Sequence, residues 1–272
     1  MRVKPIHVEK VWGLDHLPAP FSAAPGKRIG EIWFEPPAEL PELLVKYIFA
    51  GEKLSVQCHP NDAQAVASGH GTNGKEECWL VIDADEGAKL GVGFKEDVNR
   101  ETMHSAALDG SIENLLAWHD VAPGDFFYIP ANTVHAIGGG VSILEIQQNS
   151  DITYRLFDYG RPRELHLEKG MKVASGAQFD ASTRRTVLPD ETLTLVEGPY
   201  FRLHQVAGDP EDDLRSAYSD AVLVIPRKGT YQVDGEDIGP GDCAQAKDLE
   251  GLVFPKDGVC LVTAPCREGV SA

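Results

Sequence analysis

Every β-prone run in this chain is short, and each is stopped by Gly, Pro, Asn or Asp within a few residues. Residues 43–49, 53–59, 77–83, 125–130, 142–148, 221–226 and 259–264 all read this way. Glycine and proline number 27 and 18 among 272 residues, a turn-rich composition that suits many short strands better than long helices. Helical periodicity is confined to residues 60–68, 99–108, 112–118 and 164–174. An all-β plan with a few decorating helices follows. Sandwiches and closed double-sheet barrels are the architectures that retire so many strand edges.

The 25 Lys and Arg stand against 42 Asp and Glu, a formal charge of −17. That sign repels nucleic acid and anionic membranes, so neither is expected as a partner. Residues 1–20 mix charge, Gly and Pro without a continuous apolar region, and the most apolar stretch, 128–146, is interrupted by Pro130, His135, three glycines and Glu145. Five cysteines (Cys58, Cys78, Cys243, Cys260, Cys266) contain no Cys-x-x-Cys pair, and an odd count is awkward for a disulfide framework. A soluble protein of a reducing cytoplasm is expected. If its ligand is an anion, the chain must gather a basic patch inside a negative field.

A weak internal repeat extends the β reading. Glu77-Cys78-Trp79-Leu80-Val81-Ile82 is similar to Asp220-Ala221-Val222-Leu223-Val224-Ile225, and Pro123-Gly124-Asp125 recurs as Pro240-Gly241-Asp242. Two jelly-roll units in tandem account for the length, with residues 176–190, mostly polar and irregular, as the linker.

The chemistry concentrates in the first unit. On a strand, Gln57 and His59 share a face while Cys58 points away. Glu77 heads the next apolar run, and His135 follows the turn after Pro130. Gln57, His59, Glu77 and His135 form a borderline-hard donor set that suits Zn²⁺, one per chain, and could hold Fe²⁺, Mn²⁺ or Co²⁺. The spacing is similar to the two cupin motifs, with Gln57 where the first motif has His. Gln57 is the weakest donor, and water could take its place.

The segments Gln57-Cys58-His59-Pro60, Gly74-Lys75-Glu76-Glu77-Cys78-Trp79, Ile129-Pro130-Ala131-Asn132-Thr133-Val134-His135-Ala136-Ile137 and Ser150-Asp151-Ile152-Thr153-Tyr154-Arg155, with Val11-Trp12-Gly13 and Ile29-Gly30-Glu31-Ile32-Trp33, resemble the type I mannose-6-phosphate isomerases in a short bacterial form. The resemblance is strong over roughly the first 175 residues. Cys58, Glu76 and Asn132 depart from the family pattern. Asn132 must accept the backbone twist of a usual Gly, and Glu76 brings a negative charge near the site.

The resemblance implies a tandem jelly-roll, bicupin fold: a catalytic metal-binding unit over residues 1–180 and a metal-free jelly roll over 190–272. It implies interconversion of mannose 6-phosphate and fructose 6-phosphate through a cis-enediol. Arg155 matches a catalytic arginine and Lys75 a lysine at the substrate; Asp151 and His59 match positions linked to ring opening and proton handling. Ser55, Lys75, Arg155 and Arg161 or Arg163 are the expected phosphate contacts. Glu145 and Gln147 could bind sugar hydroxyls or could be exposed on an edge strand. The second unit has Leu252 ten residues after Asp242, where His135 stands ten after Asp125, and no ligand pair ahead of Asp220. Two other readings stay open, an isomerase of another sugar phosphate and a non-catalytic bicupin that senses a sugar. As a small-molecule enzyme, the protein is expected to be a monomer or a homodimer.

Overall fold

A computed structural model describes residues 1–267. The strands run β1 Pro5–Leu14, β2 Ile29–Phe34, β3 Leu43–Ala50, β4 Val56–Cys58, β5 Glu77–Ala84, β6 Lys89–Phe94, β7 Leu116–Asp120, β8 Asp125–Ile129, β9 His135–Ile137, β10 Val141–Gln148, β11 Tyr154–Phe157 and β12 Arg184–Thr186. They continue with β13 Leu193–Glu197, β14 Phe201–Ala207, β15 Val222–Lys228, β16 Tyr231–Val233, β17 Glu236–Ile238, β18 Ala244–Ala246 and β19 Val259–Pro265. Five short helices intervene: α1 Asp62–Ala67, α2 Arg100–Asp109, α3 Ile112–Leu115, α4 Leu167–Val173 and α5 Asp212–Ala217. None of them is long and apolar enough to cross a membrane.

A seven-stranded sheet in the order β1-β2-β3-β10-β5-β8-β12 faces a five-stranded sheet in the order β11-β4-β9-β6-β7. Between them lies a core that includes Trp12, Ile48, Trp79, Leu90, Phe127 and Ile143. Helices α2 and α4 pack on the outside of the smaller sheet through Met103, Ala106 and Met171. A third sheet, β13-β14-β19-β15-β18, closes over its own core with the β16–β17 hairpin.

The large sheet is covered on both faces, which explains why β3 is buried at every position. Lys46 and Ile48 point between the first two sheets, whereas Val45, Tyr47 and Phe49 join a cluster that also holds Leu203, Leu223, Ile225 and Leu261 of the third sheet. Strands buried on both sides read as continuous apolar runs rather than alternating ones. For the same reason β10 is central, not an edge, and Glu145 and Gln147 are buried.

The repeat is a structural one. The order β2-β3-β10-β5-β8 recurs as β13-β14-β19-β15-β18. Both Pro-Gly-Asp turns place Gly in the left-handed region, at φ 97° for Gly124 and 91° for Gly241. In both, the Asp carboxylate accepts the amide three residues back, Ala122 N–H to Asp125 at 3.1 Å and Gly239 N–H to Asp242 at 3.0 Å. The ladders correct the pairing expected from sequence. Leu80 faces Phe126 and Leu144, and Ile225 faces Leu261 in the matching ladder, so Glu77 corresponds to Val222 rather than Asp220. The slip is two residues, which leaves every side chain on its expected face and is therefore invisible to alternation.

Residues 176–190 are not a free linker: β12 adds to the edge of β8, with Arg185 opposite Phe126. Strands β1, β2, β6, β7, β9, β11 to β14 and β16 to β18 and helix α5 were not expected from the sequence, and the helix expected over 112–118 stops at Leu115, just before β7 begins at Leu116. All five cysteines are free, and four are buried.

Candidate metal centre and cavity

Strand β4 is three residues long and pairs with β9 through one register pair, Gln57 opposite His135. That pairing brings the Gln57 Nε2 to 3.3 Å from the His135 Nε2. His59 follows β4 immediately, and Glu77 opens β5 on the facing sheet. Asn132 holds the turn ahead of His135. At φ 74° it occupies the left-handed region that suits Gly, as its place in the motif required. Its side chain donates to the His59 carbonyl at 3.1 Å and to the Gln64 Oε1 at 2.7 Å, which ties the His135 turn to the end of β4.

Gly74 delivers Lys75. A Cβ there would lie 2.5 Å from the Pro60 carbonyl oxygen, so only Gly lets the two backbones touch. Lys75 N–H then donates to that same oxygen at 2.9 Å.

The ligand atoms of His59, Glu77 and His135 all lie within 4.8 Å of one another. His59 Nδ1 is 2.8 Å from the Ile152 carbonyl and His135 Nδ1 is 2.9 Å from the Thr133 carbonyl. A carbonyl only accepts, so each Nδ1 carries the proton and each Nε2 presents a lone pair, the orientation that metal-binding imidazoles need. Those Nε2 atoms stand 3.7 and 3.4 Å from the two oxygens of Glu77. Glu77 Oε1 is buried without a hydrogen-bond donor, an orphaned charge-bearing atom that a cation would satisfy. The donors present therefore fit a divalent metal. Gln57 turns its Oε1 to the Ser55 hydroxyl at 3.1 Å, and a half-turn of its amide would point the oxygen inward.

Burial keeps both imidazoles neutral, aided by the nearby Lys75 ammonium: His59 falls well below its usual pKa and His135 to about 4. Burial and the neighbouring Glu145 push Glu77 up to about 7, against the pull of Lys75. Burial resists ionisation of Glu145 as well, but Lys75 and Lys46 outweigh it and hold that carboxylate at about 2. Lys75 contacts Glu77 Oε2 directly and lies 3.3 Å from the His59 Nε2.

Beside this cluster, lined by Gln57, Lys75 and Glu145 but by none of His59, Glu77 and His135, opens a cavity of about 310 Å³. Five basic side chains (Lys10, Lys46, Lys75, Arg155, Arg163) and three acidic ones (Glu31, Glu145, Asp151) line it, together with Ser55, Gln57, Thr153, Trp12 and Trp33. A chain of net charge −17 thus gathers five cations around one cleft, four of them paired with carboxylates and Arg155 without one among the described residues. Arg155, paired across the ladder with Gln57, donates from Nη1 to the Glu164 carbonyl at 2.7 Å and leaves its buried Nε without a partner. Asp151 lies at the rim and makes no ion pair among the described residues.

Arg161 is not brought to the cavity. It binds Asp158 at 3.2 Å, Glu52 at 3.4 Å and the Lys53 carbonyl at 2.7 Å, while Arg163, also on Asp158, reaches the wall instead. Glu76 points away as well; burial raises its pKa, a hydrogen bond from Tyr128 opposes that, and its charge does not enter the cavity.

Sequence reasoning missed Lys46. Its ammonium donates to Gln147 Oε1 at 2.6 Å and Glu145 Oε1 at 3.1 Å, and it lies 4.6 Å from the Trp33 ring centroid. A lone Lys in the apolar run Leu43–Ala50 was the available signal, since buried lysines are retained only with partners. Lys10 and Glu31, 3.3 Å apart, extend the same wall and were also missed.

No family model matches the chain. A mannose-6-phosphate isomerase of Bacillus subtilis is 42% identical over 170 residues, 58% of this chain and 53% of that protein. A mannose-6-phosphate isomerase of Streptococcus mutans is 42% identical over 201 residues, 70% of this chain and 63% of that protein. The chain thus spans a little over half to under two thirds of the length of these curated relatives. The crystal structure of the mannose 6-phosphate isomerase from Bacillus subtilis superposes with a TM-score of 0.79 at 25% identity, covering 96% of this chain and 98% of that one. A variant of phosphomannose isomerase from Salmonella typhimurium shares the fold, with a TM-score of 0.69 at 14% identity over 98% and 99% of the two chains.

Proposed function

We propose that this chain, a sequence relative of the mannose-6-phosphate isomerases with their fold, is a metal-dependent aldose–ketose isomerase of a hexose 6-phosphate, with mannose 6-phosphate and fructose 6-phosphate as the pair. One observation carries the reading: three neutral or anionic donors converge behind the wall of a cavity, in contact with its lining residues Gln57 and Lys75, and that lining holds five basic side chains to three acidic ones. Gln57, His59, Glu77 and His135 would hold the ion, with Zn²⁺ the best match to the donors. When bound, it would supply a fixed positive charge beside the sugar oxygens.

The reaction moves one proton from C2 of the aldose to C1, while a second proton passes from the C2 hydroxyl to the former carbonyl oxygen, through a cis-enediol. Negative charge develops on oxygen as the C–H bond breaks. Lys75 holds its proton, because Glu145 and Glu77 overcome the effect of its burial, and it is suited to stabilise that charge rather than to act as base. The unpartnered Nε of Arg155 offers a second donor. Asp151, free of any ion pair among the described residues, is the carboxylate left to handle a proton, for ring opening or for transfer between carbons. Arg163 replaces Arg161 as the phosphate contact, with Ser55 beside it, so that binding energy far from the reacting carbons fixes their position. Trp12, Trp33 and Ile48 exclude water. The second unit contributes no ligand in this reading: the positions matching Glu77, Glu145 and Gln147 are Val222, Val262 and Ala264, all in or against its apolar core.

Coupled turnover of mannose 6-phosphate, with and without a chelator, tests the proposal. Metal-dependent formation of fructose 6-phosphate is expected. Sugar-phosphate binding without turnover would replace it with a sensing protein, and turnover of a different aldose phosphate would change the substrate.

A further inference from the structure

A second cavity, of about 450 Å³, opens on the other face of the large sheet. Tyr47 and Leu144 line it, whereas their neighbours Lys46 and Glu145 line the metal cavity. One layer of strand separates the two. The volume falls in the roughly 300–1,000 Å³ range of small-molecule sites.

Prolines and aromatic rings make up one part of its wall, and Arg227 and Asp83 make it polar elsewhere. The loop between β1 and β2 contributes Pro20 and Phe21, β15 contributes Pro226, and the turn ahead of β18 contributes Gly241. The Phe21 ring centroid is 4.5 Å from that of Tyr47. Gly241 allows this closure, because a Cβ there would stand 2.8 Å from the Pro20 Cγ and 3.2 Å from the Phe21 ring.

Among the described residues, Arg227 is the one cation that lines this cavity. Arg227 donates from Nη1 to Gln205 Oε1 at 2.7 Å, and no carboxylate among the described residues pairs with it. Burial strips water from the guanidinium and lowers its pKa, with only the Tyr47 phenol acting the other way. A desolvated guanidinium whose one side-chain partner among the described residues is a neutral amide keeps most of its planar donor edge for a ligand.

We propose that this seam cavity binds a small organic monoanion, with a planar apolar body against Phe21, Tyr47 and the prolines and a carboxylate on Arg227. A carboxylate matches the guanidinium fork with two parallel hydrogen bonds, which an alcohol or amide of the same shape cannot supply. Asp83 also lines the cavity, and the chain's net charge of −17 adds to its field, so an anion of higher charge is disfavoured. The site is independent of the metal chemistry proposed above.

Benzoate is the probe and benzyl alcohol its neutral control, titrated into the full-length metal-loaded protein and followed by calorimetry. Benzoate should bind about tenfold tighter or better than benzyl alcohol, as a charge-assisted bidentate contact warrants. Arg227→Gln should reduce benzoate to the level of the alcohol. Asp83→Asn removes an exposed negative group and should tighten benzoate several-fold, a gain that damage to the fold cannot produce. Equal affinity for the two probes, benzoate binding undiminished in Arg227→Gln, or no tightening in Asp83→Asn would each overturn the proposal. If Arg227→Gln does not fold, the ratio of the two probes and the Asp83→Asn response still decide it.

Discussion

The Lys46 ammonium lies 3.1 Å from the Glu145 carboxylate, directly across the ladder between β3 and β10, with both side chains buried. Trp79 Nε1–H donates to the other Glu145 oxygen at 3.0 Å. The pair is the inner edge of the wall that ends at Lys75, which contacts Glu77.

Lys46→Met removes one charge and leaves Glu145 buried with only the more distant Lys75, at 3.7 Å, to balance it. Breaking a buried pair by deleting one partner typically costs ~3–5 kcal/mol, and the remaining Lys75 argues for the lower end. Lys46→Met in the metal-free protein should lose about 3 kcal/mol in urea unfolding, and Lys46→Met with Glu145→Gln should recover most of it. A single variant as stable as the parent would mean that Lys46 is not the partner on which Glu145 depends.

Metal affinity should fall with acid because of Glu77. Its pKa is raised to about 7, so below that pH the metal-free site carries a proton that the ion must displace. His135, held at about 4, stays neutral across the same window. Zinc affinity, measured against a chromophoric chelator and corrected for the chelator's own protonation, should weaken by about tenfold for each pH unit below 7. Above 7 this contribution disappears. A flat profile between about pH 5 and 7 would show that Glu77 is already ionised in the free protein, with Lys75 winning over burial.

The candidate ligand positions stood out in the sequence because ligation demands side chains that nothing else in a short strand requires. Gln57, His59, Glu77 and His135 are polar residues at the ends of apolar runs; the structure gathers His59, Glu77 and His135, with the Gln57 amide beside His135 and its oxygen turned to Ser55. Lys46 was harder. It stands mid-strand, and its partners Glu145 and Gln147 are distant in sequence, joined only by the β3–β10 pairing. The same pairing explains why Glu145 could be read as exposed. Alternation reports a covered face only when the other face is wet, and the third sheet covers it here. Arg161 and Arg163 cannot be told apart by sequence either, since both serve Asp158 and only the course of the loop decides which one reaches the cavity.

Arg155→Lys keeps a positive charge but loses the fork that reaches the Glu164 carbonyl at 2.7 Å and presents the free Nε. If Arg155 meets the developing enediolate, kcat should drop by ~10²–10³-fold, the usual consequence of losing one oxyanion donor, with metal content unchanged. Steady-state kinetics with mannose 6-phosphate checks this. Near-normal kcat with a raised KM would reduce Arg155 to holding the phosphate.

The last prediction concerns the seam. Val45, Tyr47, Phe49, Leu80 and Leu144 of the large sheet share one apolar cluster with Leu203, Leu223, Ile225 and Leu261 of the third sheet. Residues 1–180 expressed alone would expose that face, and such a patch exceeds what soluble monomers tolerate. The cut would also remove β12 and leave β8 with an unpaired edge. A chain ending at 190 retains β12 and isolates the effect of the seam. Both truncated chains should aggregate at concentrations where the full chain stays dispersed, as light scattering would report. Leu223→Asp, which places a charge in the seam of the full-length chain, should destabilise it while leaving every metal ligand in place. Residues 185–272 alone should take up no stoichiometric zinc, because the positions matching Glu77 and His135 are Val222 and Leu252. A soluble, fully active chain ending at 190 would show that the third sheet is dispensable to the first two, and bound zinc on 185–272 would show that its core holds ligands outside the repeat.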